Sequence, residues 1–479
     1  MNPYSLLTDF YELTMMGGYF EQGRHQEEAC FEYYFRRLPG QAGFAVFCGI
    51  EAFAREVMDL AFGQNEMDYL SEMNVFKSDF LEALSEFRFR GNVDAALEGS
   101  VVFPYEPLVV VQGKLWEVQI IETFLLNCLN YPTLVATKAA RVCQAAQGDP
   151  VLEFGLRRAQ GRDGGITGSR AAYVGGCAGS SNVEAGRRFG IPVKGTHAHS
   201  WVMSFPDELS AFRAYVDVYP DSPILLVDSY DTIESGVPHA VQVFQERKRQ
   251  GWTGRPGIRL DSGDLVQQSQ EALRLFQEAG FEDPLIVASN DLDEYAIEEL
   301  KSSGAKINCW GVGTQLIVSG DCPALGGVYK LCAVKPEFTW TPVIKVSEEP
   351  AKVTDPGRKA VSRLYRDGTP IADLLHRWGE SPETDEHWMG VARDDLTEAK
   401  TFPADLEARP LLKPMLRQGK RVARPRDLEE IRQFAQQEIN SLSRAQQRLR
   451  DASSYPVLLH PHLAEIKNDL LAQHASQDG

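Results

Sequence analysis

The sharpest chemical cluster in the chain is GTHAHSW at 195–201, which sets His197 and His199 two residues apart. That spacing suits a metal pair, two structural imidazoles, or one working imidazole acting as nucleophile or acid/base. A zinc pair needs a third ligand and a carboxylate behind it, and no HExxH pattern accompanies these two. In GIRLDSGDL, 257–265, Arg259 and Asp261 are separated by one residue, so in an extended segment both side chains leave the same face. Such a pair holds a ribose and an anion together, or simply forms a structural ion pair; Asp264 caps or starts the following helix. SNDLDE at 289–294 and WGVGTQ at 310–315 each follow an apolar run. GVGT offers backbone N–H groups and a hydroxyl at a helix start, either a phosphate cradle or a tight turn. EFGLRR at 153–158 puts Phe154 and Arg157 beside a strand end. An aromatic face with a guanidinium holds a flat anionic heterocycle; the alternative is a core Phe and a surface Arg. Lys330, Lys345 and Lys352 add positive charge, and each alone reads as a solvated lysine.

These clusters need a frame that turns them the same way. VLEFGLRR, PILLVDSYDT, GIRLDSGDL, LIVASNDLDE and INCWGVGTQ each begin as a buried strand and turn at Asp, Ser, Asn or Gly. Most then run into a helical pattern, such as 264–279 or 293–302. Strand, turn and helix repeated five times predict a parallel sheet, which suits a barrel or a doubly wound sheet; a barrel-like α/β domain is the favoured reading. Ligands then collect at the carboxyl ends of the strands, where the polar clusters lie. The expected division is an N-terminal α/β domain over 1–130, a barrel-like domain over 131–345, and a C-terminal segment over 346–479 in which the repeat stops. In the first, 6–20 and 51–60 read as helices, and CFEYYFR and VVFPYEPLVVVQG as strands. Residues 114–129 carry a helical stripe of Leu115, Val118, Ile121, Leu125 and Leu129. Toward the C-terminus, 383–398 reads as an acidic loop, 426–450 as a charged surface helix, and the last residues as a fraying end.

Composition narrows the class. The chain has 479 residues, 43% hydrophobic and 24% charged, which fits a globular protein of two or three domains. The net charge of -18, from 49 basic and 67 acidic residues, opposes general binding to nucleic acid. Eight cysteines without a CxxC pair read as reduced thiols of a cytoplasmic protein. The N-terminus lacks a basic start and an unbroken apolar run, so it does not read as a secretory signal. The most apolar stretch, VQIIETFLLNCL, is short and carries Glu122, so no membrane span is expected.

Taken in order, LLTDFYELTM at 6–15, EFGLRR, GTHAHS, RLDSGDL, SND, GVGT and KVSEEPAKVTDPGRK resemble the nicotinate phosphoribosyltransferase family over about residues 3–366. The resemblance implies transfer of a phosphoribosyl group from phosphoribosyl pyrophosphate to nicotinate, with Mg²⁺, coupled to ATP hydrolysis in NAD biosynthesis. It implies an irregular α/β barrel, a second α/β domain made by both chain ends, and a homodimer with shared active sites. By the same resemblance, His199 is the phosphorylated histidine, while His197 holds a more variable place. Thr196 would touch nicotinate, Phe154 would stack beneath its ring, and Tyr11 of the partner subunit would cover it. Arg157 and Arg259 would bind anions, and Asp261 would stand near the ribose. Asn290, Asp291, Gly313 and Thr314 would cradle ribose and 5-phosphate; Lys330, Lys345 and Lys352 would meet polyphosphate. Related nicotinamide enzymes carry an acidic residue just after G-T, where this chain has His197, which favours the acid as substrate. The other readings are nicotinamide transfer on the same scaffold, a shorter quinolinate-type relative, a non-catalytic ligand-binding barrel, and a metallohydrolase built on the two histidines.

Overall fold

A computed structural model describes residues 5–380 and 387–477, and the chain divides into two compact units. The first comprises 1–134 and 324–479; the second comprises 135–323.

The second unit contains the expected parallel sheet. Its strand order is Gly179–Ser180, Val151–Glu153, Cys309–Val312, Leu285–Ser289, Gly257–Leu260, Ile224–Leu226. Each of the five apolar runs supplies one strand, and the short run at 179–180 adds a sixth. Helices follow where the sequence places them: Leu265–Glu278 buries Leu265, Ser269, Ala272 and Phe276, one stripe at helical spacing. Asp264 is its N-cap, accepting from the N–H groups of Val266 and Gln267 at 3.1 Å. Asp293 does the same for Glu294–Ser302.

The sheet's two edges are joined by 193–197, and this is where the barrel is irregular. On one side Val193 forms a parallel bridge with Ser180, and Lys194 N–H donates to the Ser180 carbonyl at 3.0 Å. On the other side the rungs are side chains. The Thr196 hydroxyl donates to the Ile224 carbonyl, and the Leu226 N–H donates to His197 Nε2 at 3.2 Å.

In the first unit, a seven-stranded sheet runs Thr341–Pro342, Gly327–Lys335, Glu28–Phe35, Val109–Lys114, Asn92–Ala96, Leu412–Arg417, Lys420–Arg421. Both ends of the chain therefore contribute to it. Gly327–Lys335 pairs antiparallel with Glu28–Phe35, so 324–345, which the sequence reading gave to the barrel, falls in this unit. A sheet edge far away in sequence claims that strand, and no local pattern announces such a pairing. A six-stranded sheet is built entirely from residues beyond 358. Within it His387–Ala392 and Ala399–Pro403 pair antiparallel, where an acidic loop was expected over 383–398; 383–386 lie outside the described residues.

Several helix boundaries differ from the expected ones: the helix over 6–20 is Phe10–Glu21 and that over 51–60 is Ile50–Val57. The stripe at 114–129 becomes two helices, Leu115–Gln119 and Glu122–Ala145, the second running on through Pro132. Proline leaves the Cys128 carbonyl without its helical donor. Gly49, at φ +106, lies against that carbonyl where a Cβ would clash. The charged helix is Leu428–Ser441 rather than 426–450, and it buries Ile431, Ala435 and Ile439. The C-terminal residues form a helix, Pro461–Gln477, instead of fraying. Lys467 anchors it, its Nζ donating to buried Asp355 at 2.8 Å. No described helix is long and apolar enough to cross a membrane.

Candidate active site

Parallel neighbours end together, so the residues just past each strand form one row at the barrel mouth. From Val151–Glu153 the chain continues into Phe154, whose N–H donates to the Val312 carbonyl at 2.8 Å. The Phe154 ring lies on the backbone of Gly311: a Cβ there would sit 2.7 Å from its Cδ2 and 3.4 Å from the Ser289 Cβ. Glycine at 311 is thus what lets the aromatic ring reach across the neighbouring strand. Beneath it, buried Glu153 accepts from the hydroxyls of Ser169 at 2.8 Å and Ser180 at 2.6 Å, fixing the strand that carries Phe154.

Ser289, at the end of Leu285–Ser289, links to the next strand. Its hydroxyl donates to Asp261 and accepts from Arg259 Nε at 2.7 Å. Arg259 Nη2 stands 3.0 Å from Asp261 Oδ1, so the i, i+2 pair does share one face. The guanidinium is mostly engaged by these two partners, which makes it the holder of Asp261 in this state.

His199 faces that carboxylate. It opens the short helix His199–Met203, and its side chain is 43% exposed. Nδ1 lies 3.1 Å from Ser229 Oγ. Nε2 lies 4.0 Å from Asp261 Oδ2 and 4.0 Å from Asp228 Oδ1. The Asp228 side chain is only 2% exposed. Its Oδ2 accepts from Ser262 Oγ at 2.6 Å, while its Oδ1 has no hydrogen-bond donor among the described residues. A buried carboxylate oxygen without a donor is costly, so an N–H on Nε2 is what this position favours.

Asp228 and Ser229 were not singled out from the sequence, although PILLVDSYDT contains both. The available signal was their position: a polar pair directly after a buried strand, like Asp261 after its own.

His197 is placed apart from this chemistry. Burial pushes its imidazole down to about 4, and it is neutral at pH 7. Accepting from Leu226 N–H at Nε2 requires the proton on Nδ1, which faces the Ala198 carbonyl at 3.4 Å. Thr196 likewise uses its hydroxyl on the Ile224 carbonyl. Both residues close the barrel wall.

The remaining expected residues fall in two groups. Asn290 and Asp291 follow Ser289 and are exposed, with φ of 119° and 39°. Two consecutive non-glycine residues at positive φ mark strain of the kind that clusters at ligand sites. Gly313 and Thr314 begin the four-residue helix Thr314–Ile317 beside the Phe154 carbonyl. Arg157 is exposed in the turn Leu156–Arg158 and donates no hydrogen bond to a described residue. Tyr11, Lys330, Lys345 and Lys352 belong to the first unit. There Tyr11 is exposed, Lys330 Nζ lies 3.4 Å from Glu122, Lys345 is exposed, and Lys352 pairs with Glu349 at 2.7 Å. Among the described residues, no group of three or more His, Cys, Asp or Glu is arranged to hold a metal ion.

Known proteins resemble this chain over most of its length. Three family models match: the nicotinate phosphoribosyltransferase N-terminal domain over 6–130, the family proper over 150–378, and the C-terminal domain over 358–467. The Bacillus subtilis nicotinate phosphoribosyltransferase is 40% identical, covering 95% of this chain and 92% of its own. The human one is 36% identical, covering 98% and 96%. A crystal structure of human nicotinic acid phosphoribosyltransferase superposes with a TM-score of 0.85 at 34% identity, covering 97% of this chain and 99% of that one. A Pyrococcus furiosus nicotinate-nucleotide pyrophosphorylase structure, at 22% identity and a TM-score of 0.68, shares the fold. With relatives this similar over nearly its whole length, the chain belongs to the nicotinate phosphoribosyltransferase family.

Proposed function

We propose that this protein transfers a phosphoribosyl group from phosphoribosyl pyrophosphate to nicotinate, releasing pyrophosphate, and that ATP hydrolysis through phosphorylated His199 drives the reaction in NAD biosynthesis. The observation that carries this reading is the row Phe154, Ser289, Asp261, His199 and Asp228 along adjacent strand ends. It sets a ring platform at one end and an imidazole between two carboxylates at the other.

Each group has a task. Phe154 stacks under the pyridine ring, and exposed Arg157 meets its carboxylate. The family resemblance supports the acid over the amide, since the related nicotinamide enzymes carry an acidic residue just after G-T where this chain has His197, neutral here. The strained pair Asn290 and Asp291, with Gly313 and Thr314, holds ribose and its 5-phosphate. As pyrophosphate leaves, positive charge builds at the ribosyl carbon; Asp261, held by Arg259 and Ser289, stabilises it. Alignment of the two reactants contributes ~7–11 kcal/mol of barrier reduction where it is complete.

For phosphorylation, Nε2 keeps its proton toward Asp228 and Asp261, leaving the Nδ1 lone pair toward Ser229. Nδ1 attacks the γ-phosphorus, the bond to the ADP oxygen breaks, and ADP leaves with the electron pair. The imidazolium charge so formed faces the two carboxylates. Mg²⁺ fits this site chemically, since the unpartnered Asp228 Oδ1 and Asp261 are hard oxygen donors and two carboxylates leave positions for substrate oxygens. Bound there with pyrophosphate, it would neutralise charge on the leaving group. Tyr11, Lys330, Lys345 and Lys352 keep the roles the family resemblance implies: ring cover from the partner subunit, and polyphosphate contacts. The proposal includes a cytoplasmic homodimer, which sedimentation reads directly.

The deciding experiment measures product from nicotinate and from nicotinamide, with and without ATP. Mononucleotide is expected from nicotinate, faster with ATP, and little from nicotinamide; preference for nicotinamide would overturn the substrate assignment. A second expected outcome concerns Arg259→Ala. Truncating one partner of a half-buried charge pair costs about 2–5 kcal/mol, so kcat/KM is expected to fall by at least about 30-fold. An unchanged value would make Asp261 self-supporting.

A further inference from the structure

We propose that the first unit carries a second binding site, separate from the barrel, that takes a planar monocyclic carboxylate. The place is a cavity of about 160 Å³ walled by Trp340, Trp378, Arg358, Arg377, Leu463 and Ile466. It lies where the strands Thr341–Pro342, Lys359–Arg366 and Thr369–Arg377 approach the helix Pro461–Gln477.

Three features define the occupant. The first is charge. Arg377 is compensated by Glu380 at 2.9 Å, and that carboxylate also faces His462 at 3.2 Å. Lys335, near the Trp340 ring, is compensated by Glu28 at 2.8 Å. Arg358 has no such partner. Its carbon Cζ stands 4.7 Å from the Trp340 ring centroid and 5.6 Å from that of Trp378. Its Nε is buried without an acceptor, and the guanidinium donates no hydrogen bond to any described residue. Indole faces attract a guanidinium but leave its N–H groups unsatisfied. A carboxylate is the anion whose geometry matches that fork.

The second is shape. Two tryptophans in the wall, with Leu463 and Ile466, make the lining around the guanidinium largely aromatic and aliphatic, which favours a flat apolar body. The third is size. A cavity of about 150 Å³ holds a benzene molecule. One six-membered ring therefore fits here, whereas a nucleotide or sugar diphosphate does not. Ala333 borders the cavity on the strand that also carries Lys330, so an occupant would touch an element with a proposed substrate role.

This inference does not rest on the proposed activity, and its test keeps the two apart. The full chain is titrated with 4-fluorobenzoate, followed by ¹⁹F line width, with 4-fluorobenzamide as the uncharged control. Saturable binding of the acid is expected, at least tenfold tighter than the amide. Arg358→Gln is expected to weaken it tenfold or more, as is Trp378→Leu, whose side chain is partly exposed, with melting of each variant followed alongside. In a Phe154→Ala background, which removes the barrel's own ring platform, the Arg358-dependent part of the binding is expected to persist. No saturable binding to the unaltered protein would overturn the proposal. So would binding that survives Arg358→Gln and disappears in Phe154→Ala, since the ligand would then occupy the barrel.

Discussion

His199→Ala is expected to abolish nicotinate-dependent ATP hydrolysis, by at least about 100-fold, because nothing else at the barrel mouth replaces an activated nucleophile. The ATP-independent transfer is expected to persist, since Phe154, Asp261 and the 290–291 turn are untouched. The substitution leaves the fold intact for a structural reason: a side chain 43% exposed, with one hydrogen bond to Ser229, contributes little to stability. A variant that melts with the parent but retains full coupling would move the phosphoryl group to another residue. Loss of both activities together would instead show that the imidazole acts in the transfer itself.

Asp228→Asn is the second large effect. The substitution keeps the volume of a side chain that is 2% exposed and can keep the bond from Ser262 Oγ. It removes the charge that faces Nε2 across 4.0 Å. A carboxylate that holds an imidazole in one tautomer and supports its positive form is worth about 10⁴ in turnover in the analogous Asp-to-Asn change of a serine protease. A fall in kcat of that order is expected in the ATP-coupled reaction, with the KM for nicotinate within about threefold because Phe154 is distant in the row. If kcat holds, Asp261 alone sustains the imidazole, and the unpartnered oxygen of Asp228 serves another group.

Much of the barrel was legible because its signals are local. Each of the five apolar runs ends in Asp, Ser, Asn or Gly, and each became a parallel strand with its polar end at one mouth. Arg259 and Asp261 share a face because extended chain alternates, and Asp264 caps its helix because Asp does so anywhere. Three things were not legible. The pairing of Gly327–Lys335 with Glu28–Phe35 spans about 300 residues, and only the folded sheet brings them together. Pro132 argues for ending a helix, yet Gly49 accommodates the freed carbonyl from another segment. Asp228 carries no distinguishing neighbour in sequence; what marks it is burial and an oxygen without a donor. His197 shows the converse, since the two-histidine spacing suggested chemistry and the structure uses its ring as a rung, beside a second rung made by the Thr196 hydroxyl.

Those rungs bear on how substitutions near the imidazole should be interpreted. Elsewhere the cylinder is stitched by main chain, which no mutation deletes. Between 196–197 and 224–226 the stitching is a hydroxyl and a ring nitrogen, and truncating either opens the stave. Activity lost on removing Thr196 or His197 therefore reports a sprung cask as readily as a missing hand on the vitamin, and only variants that keep the thread intact can tell them apart.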